Sequence, residues 1–334
     1  MKIGCQFAGN LAIDARLTLV TQLKSCGMFS PFNVTMRTAE NALFCHLYML
    51  LLFVGFCQGK DLFFNDKGLL LPESYKIGWM EAIDDDKLIS DITIPGTHDT
   101  MALYGGPAAE CQAWDLGDQL RAGIRYLDLR IFAFENKLYV MHWVVYQHKS
   151  FYEVLDTIRV FLSEFRSEAV LVRVKPDLFD KENVEELVGK MIIDDTDVWV
   201  KSDMPTMAEA RGKMIFVQKS NFKLGIPLLE TDSKGDYEVT HIANKENKIV
   251  KHLTQASGDC GGDYIVLSYS SGTGIGTLLG MFLTPKKVAE KINPWLDQYL
   301  RQFSRDHNSV CFGVIAMDFP GIDLIQTVIK INDW

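Results

Sequence analysis

From about residue 77 onward, short apolar runs alternate with longer amphipathic stretches. The runs at 88–94, 125–131, 138–144, 169–174, 214–218, 237–242, 265–269 and 311–317 are rich in Val, Ile and Tyr and have strand length. Between several of them the apolar period changes to that of a helix. In the stretch 151–165 the apolar positions 151, 154, 155, 158, 161, 162 and 165 lie on one helical face. The stretches 181–192, 285–303 and 322–331 read the same way, and Thr284 followed by Pro285 is a helix start signal. Strands alternating with helices predict an α/β fold. Eight candidate strands favour a single (β/α)8 barrel of the TIM type, distorted or incompletely closed. An open doubly wound sheet is the alternative, although neither GxGxxG nor GxxxxGK[ST] occurs to support a nucleotide-binding version. The GTGIG at 272–276 matches neither motif.

The first 59 residues follow a different pattern. Residues 42–56, ALFCHLYMLLLFVGF, form an apolar run of 15 residues, shorter than the roughly 20 that a membrane-spanning helix needs. Arg37 precedes the run, and Cys57 and Gly59 place small side chains at the −3 and −1 positions of a cleavage after Gly59. This is the layout of a secretory signal peptide starting at Met36, with an uncleaved anchor or a buried helix as the other readings. The expected organisation is a leader at 1–59 and one barrel domain at 60–334. The expected location is secreted, with transient association with a membrane surface.

Composition narrows the function classes. The 334 residues are 48% hydrophobic and 23% charged, which is globular rather than disordered. Lys+Arg 34 against Asp+Glu 43 leaves a net charge of −9 and no basic footprint for a nucleic acid. Of seven Cys, four (5, 26, 45 and 57) lie in the leader. Cys111, Cys260 and Cys311 remain, so at most one disulfide forms among them and one thiol is left over. No CxxC pair points to a structural zinc site.

In a barrel, polar residues at the C-terminal strand ends are the catalytic candidates. These ends read His98-Asp99, Asp128-Leu129-Arg130, Met141-His142-Trp143, Arg173-Val174-Lys175, Gln218-Lys219 and Met317-Asp318. Two imidazoles suit general acid–base work near neutral pH. A guanidinium can stabilise charge on a phosphorane-like transition state. Carboxylates behind the histidines fix their tautomers. The chemistry suggested is phosphodiester cleavage.

At these residues the sequence resembles the X domain of phosphatidylinositol-specific phospholipases C, of the secreted bacterial type. The matching segments are IPGTHDT (94–100), QLRAGIRYLDLRI (119–131), VMHW (140–143), FLSEFRSEAVLVRVK (161–175), ARGKMIFVQK (210–219) and GVIAMDF (313–319). The resemblance implies that an inositol phospholipid, with glycosylated inositol anchors among the candidates, is cleaved to diacylglycerol and inositol 1,2-cyclic phosphate. By the same resemblance His98 is the general base and Asp318 its support. His142 is the general acid, Asp99 its partner, and Arg130 the phosphate contact. Asp128 holds Arg130, and Lys175 and Lys219 face the inositol. The calcium-dependent relatives have a metal-binding carboxylate where Arg130 stands, so the resemblance implies no metal and no cofactor; a monomer is the expected state. Two departures are visible. Lys219 replaces an Arg, and Asn244 is the nearest equivalent of an inositol-contacting acidic residue.

Other readings stay open. A different lipid phosphodiesterase on the same barrel would use a metal held by E-x-D, where this chain has D-L-R. A non-catalytic inositol-lipid-binding module would be expected to have lost a catalytic His or the Arg. Cys260 reads as a free or disulfide-bonded Cys rather than a nucleophile. His148, His252 and His307 are expected on the surface. Trp143, Tyr146 and Tyr269 either stack on the inositol ring, wet a membrane interface or pack at the rim. The apolar stretch 278–283 either dips into lipid or packs in the core.

Overall fold

The computed structural model describes residues 63–177, 181–219, 222, 224–307 and 310–332. The expected leader, its apolar run and the expected cleavage after Gly59 lie outside the described residues. Among the described residues no helix is long and apolar enough to cross a membrane.

The strands are β1 (Ile94–Thr97), β2 (Tyr126–Phe134), β3 (Lys137–His142), β4 (Val145–Ser150), β5 (Val170–Pro176), β6 (Val198–Trp199), β7 (Met214–Gln218), β8 (Ile226–Glu230), β9 (Ile265–Tyr269) and β10 (Val314–Met317). The helices are α1 (Leu116–Arg121), α2 (Phe151–Glu164), α3 (Lys181–Ile192), α4 (Met207–Ala210), α5 (Ile242–Asp259), α6 (Pro285–Asp306) and α7 (Ile322–Lys330). Parallel pairing runs β1-β10-β9-β8-β7-β5-β2. The Gly96↔Tyr126 and Thr97↔Leu127 pairs join β2 back to β1. The result is a closed barrel of seven parallel strands among the described residues.

The barrel form is as expected, but its membership differs in three places. The run at 138–144 is not a stave. β2 turns back through Glu135 and Asn136, both with positive φ (48° and 58°), and pairs antiparallel with β3. Two consecutive left-handed residues make the hairpin turn that matches strand twist. Thus β3 and β4 extend from β2 at the rim.

The run at 237–242 is not a strand either; the stave is β8. Pro227 cannot donate to a ladder, which disguises β8 as a loop in sequence, but Pro227 is exposed and pairs with Gln218 at the end of β7. The helix after it, α5, was hidden because Lys245 and His252 occupy its buried face, which breaks the apolar period.

Third, the first stave starts six residues later than the apolar run suggested, at Ile94, preceded by a short 3-10 turn at Ile89–Asp91. Gly96 allows this packing: a Cβ there would lie 2.7 Å from the Tyr126 ring.

The helices at 151–164, 181–192, 285–306 and 322–330 lie where the sequence placed them. Ser150 and Glu153 close a capping box on α2, and the Thr284 side chain accepts from Lys287 N at the start of α6. At the N-terminal end of the barrel, buried Arg125 pairs with buried Glu168 and donates to the carbonyls of Ile77, Leu120 and Ile124. A fully satisfied guanidinium at that end ties β2 to the segment before β5 and has no access to a ligand. Cys260 and Cys311 form a disulfide, with Cα atoms 5.9 Å apart, and Cys111 is a buried free thiol.

Candidate active site

The C-terminal ends of the staves bring His98, Asp99, Asp128, Arg130, Lys175, Tyr269 and Asp318 into one cluster. His98 and Asp99 follow β1, and backbone N–H of His98 bonds Met317 O at 2.9 Å, which locks this end to β10. Buried Gln112 donates to both His98 O (2.8 Å) and Met317 O (2.9 Å). Thr97, Thr100 and Gln119 link through their side chains below, and Asp128 N donates to the Thr100 hydroxyl at 2.8 Å.

Asp99, Trp143 and Phe319 each have positive φ (38°, 53° and 44°). Each directly follows a site residue: His98, His142 and Asp318. In an extended strand, neighbouring side chains point to opposite faces. A left-handed residue at the strand end breaks that alternation, so both His98 and Asp99 turn toward the mouth. For non-glycine residues this costs about 1–2 kcal/mol each, and such strain collects at functional sites.

His98 Nδ1 lies 3.0 Å from Asp318 Oδ1. A carboxylate can only accept, so Nδ1 carries the hydrogen and Nε2 keeps its lone pair. Asp99 Oδ2 lies 3.4 Å from His98 Nε2 and 3.2 Å from His142 Nε2. His142 Nδ1 donates to the Ala109 carbonyl at 2.7 Å, so its Nε2 also points inward. Arg130 Nε pairs with the other Asp99 oxygen.

Burial pulls the His98 pKa down, but Asp99 and Asp318 together outweigh it and raise it above the ordinary value of 6.5. For Asp99 burial is likewise outweighed, here by His98, Arg130 and His142, which hold the carboxyl well below its usual range. Asp318 moves the other way: burial raises it more than His98 lowers it.

A second group lies beside the first. Lys175 Nζ donates to Asp128 Oδ2 at 2.8 Å and to the Tyr269 hydroxyl at 3.0 Å. Arg173 also donates to that hydroxyl, at 2.7 Å, and pairs with Glu230. Lys219 pairs with the same Glu230. Burial, followed by the nearby negative charge of Asp128, raises the Tyr269 phenol well above its ordinary value, so it stays protonated. The Tyr269 ring packs edge-on against His98, with centroids 5.5 Å apart.

The partner of Asp128 is therefore Lys175, whereas Arg130 is held by Asp99. Asn244 stands in the first turn of α5. The carboxylate that pairs Arg173 and Lys219 at the mouth is Glu230, from the stave that the sequence reading missed. Arg173 and Glu230 had a visible signal: a charge inside a buried run two residues before Lys175, and a carboxylate closing the apolar stretch after Gly225. His252 is not on the surface but buried between Asp232 (3.4 Å) and Asp236 (3.1 Å). His148, His241 and His307 are exposed.

At the rim, Trp143 is 69% exposed, and Leu278, Leu279, Met281 and Phe282 are exposed rather than packed in the core. Tyr146 packs against Tyr139 and His148. The Trp143 backbone N–H is anchored by Asp177 at 2.9 Å.

The set His98, Asp99 and Asp128 brings metal-ligand atoms within 4.8 Å of one another. Both of its carboxylates already face cations, Arg130 and Lys175. A divalent ion there would meet two positive charges, which does not fit that donor set.

The model of the phosphatidylinositol-specific phospholipase C X domain matches residues 86–220, which carry His98, Asp99, Arg130 and His142. Over these residues the chain is similar to this family. The 1-phosphatidylinositol phosphodiesterase of Listeria monocytogenes is 26% identical over 283 residues, covering 77% of this chain and 85% of that protein. The solved structure of the phosphatidylinositol-specific phospholipase C from Listeria monocytogenes matches with a TM-score of 0.67 and 25% identity, over 78% of this chain and all of that one. A structure of the Staphylococcus aureus phospholipase shares the fold, with a TM-score of 0.64 and 22% identity over 77% of this chain and 97% of that one.

Proposed function

We propose that this protein is a phosphatidylinositol phosphodiesterase that cleaves the glycerol–phosphate bond by acid–base catalysis between His98 and His142. The observation that carries this reading is the pair of inward-facing Nε2 atoms on either side of Asp99, each ring fixed through its Nδ1. His98 Nε2 takes the proton of the inositol 2-hydroxyl, whose oxygen attacks phosphorus. His142 Nε2 gives a proton to the departing diacylglycerol oxygen. The products are diacylglycerol and inositol 1,2-cyclic phosphate. Arg130 neutralises the equatorial phosphoryl oxygens as charge builds there. Lys175, Arg173, Lys219, Glu230 and Tyr269 supply hydrogen bonds to the ring hydroxyls.

The substrate is a lipid, so the mouth must meet a membrane. Exposed Trp143, Leu278, Leu279 and Phe282 offer apolar contact at that end. The leader at 1–59 directs export in this reading, the enzyme works as a monomer, and no metal takes part.

Phosphorus NMR of phosphatidylinositol in mixed micelles, with excess chelator, tests the proposal. A cyclic inositol phosphate signal from wild type that is lost in His98→Ala is the expected result. Equal turnover in His98→Ala overturns the assignment. A folded wild type without turnover directs attention to another lipid diester first and to a binding module second.

A further inference from the structure

Cys111 has no role in the chemistry above, yet its sulfur is buried in the middle of it. The Cys111 Sγ, a ring nitrogen of His98 and a carboxylate oxygen of Asp318 lie within 4.8 Å of one another. The same sulfur also lies within 4.8 Å of ligand atoms of His142 and Asp99. Thiolate, imidazole and carboxylate together are the ligand set of zinc. Bonds of about 2.0–2.3 Å in a tetrahedral site separate the ligand atoms by roughly 3.3–3.8 Å. The atoms lie no more than 4.8 Å apart, so reaching this separation takes shifts of at most about 1–1.5 Å.

The two trios are not equivalent. Asp99 is already paired with Arg130, and that guanidinium repels an ion on its side. Asp318 meets His98 and the Gly272 N–H, with Asp99 as a second negative charge nearby. A cation is therefore favoured on the Asp318 side.

We infer that His98, Cys111 and Asp318 form an inhibitory site for a soft divalent cation, zinc, with its remaining position open to the mouth. Binding would make a zinc–sulfur bond with release of the thiol proton to solvent, and the proton on the His98 nitrogen facing Asp318 would move to Nε2, which frees that lone pair for the ion. It occupies His98, so it stops the proton transfer assigned above. Only this inhibitory consequence rests on the proposed phosphodiesterase reading; the site itself does not.

The test uses the full chain with Cys5, Cys26, Cys45 and Cys57 replaced by Ser, titrated with Co2+ as a chromophoric probe and then with Zn2+. The expected result is a sulfur-to-cobalt charge-transfer band at one equivalent, displaced by zinc. Cys111→Ser removes the band, weakens zinc binding by more than about tenfold, and leaves metal-free turnover in place but insensitive to zinc. Asp318→Asn, which keeps the thiol, also weakens zinc binding and covers the case of a misfolded Cys111→Ser. The inference is overturned if the parent shows no charge-transfer band, or if Cys111→Ser binds zinc as tightly as the parent. A cobalt band in a protein without turnover keeps the site and removes the phosphodiesterase reading.

Discussion

His98 and Asp318 are 220 positions apart in sequence and 3.0 Å apart in space. The pairing of Thr97 with Met317, which aligns β1 with β10, sets that distance. The pH profile follows from it. His98 accepts a proton only when neutral, so turnover falls as pH drops through its pKa, which Asp99 and Asp318 raise against the effect of burial. Removing the Asp318 charge takes away one raising influence. Asp318→Asn is therefore expected to move the acidic limb of kcat/KM to lower pH. The rate falls by about 100- to 10,000-fold as the ring loses its fixed tautomer. A limb that moves to higher pH would contradict the base assignment.

Arg130 carries the argument against a catalytic metal. Arg130→Lys keeps a positive charge but loses the planar fork. It is expected to lower kcat with little change in KM, because the contact tightens as charge develops on phosphorus. Excess chelator should leave wild-type turnover unchanged, and raise it where trace zinc was bound. Loss of activity on chelation, restored by calcium, would refute this.

Glu230 holds both Arg173 and Lys219 toward the mouth. Hydrogen bonds to charged groups are worth about 1.5–3 kcal/mol. Glu230→Gln should raise KM for phosphatidylinositol by roughly ten- to 100-fold and change kcat far less. Kinetics on mixed micelles separate the two parameters. A fall confined to kcat would place Glu230 in the chemistry instead.

The apolar rim makes a separate prediction. Leu278 is 88% and Phe282 75% exposed, so replacing both with Ser removes little folded-state packing. Each side chain that enters lipid contributes about 1.5–3 kcal/mol. The double variant should sediment poorly with phospholipid vesicles while turning over a soluble inositol phosphodiester at the wild-type rate. Unchanged vesicle binding would take this loop out of the membrane contact.

Secreted material is expected to begin near Lys60. N-terminal sequencing that finds residue 1 or 36 would contradict cleavage of the leader.

Much of the site was legible in the chain because its chemistry is local to strand ends. IPGTHDT, DLR and MDF each put ionisable side chains directly after an apolar run, and four long helices announced themselves by period and cap. Three things were not legible. β8 carries Pro227, and α5 buries Lys245 and His252, so both contradict the pattern of their own element. Their polar groups meet partners outside the helix: Lys245 donates to the carbonyls of Asp236 and Tyr269, and His252 Nε2 bonds Asp236. The hairpin of β3 was read as a stave because apolar periodicity reports burial and not the direction of pairing.

By itself the sequence determined the class of fold, the order of its elements and the kinds of group available at the barrel mouth, since these follow from period, turn residues and side-chain chemistry. Only the tertiary structure decided that the barrel has seven staves, that Lys175 rather than Arg130 neutralises Asp128, that Glu230 pairs Arg173 and Lys219 at the mouth, and that the Cys111 sulfur comes close to both histidines. Those outcomes depend on which distant strand ends meet, and strand register across a closed barrel is settled by packing among residues far apart in the chain.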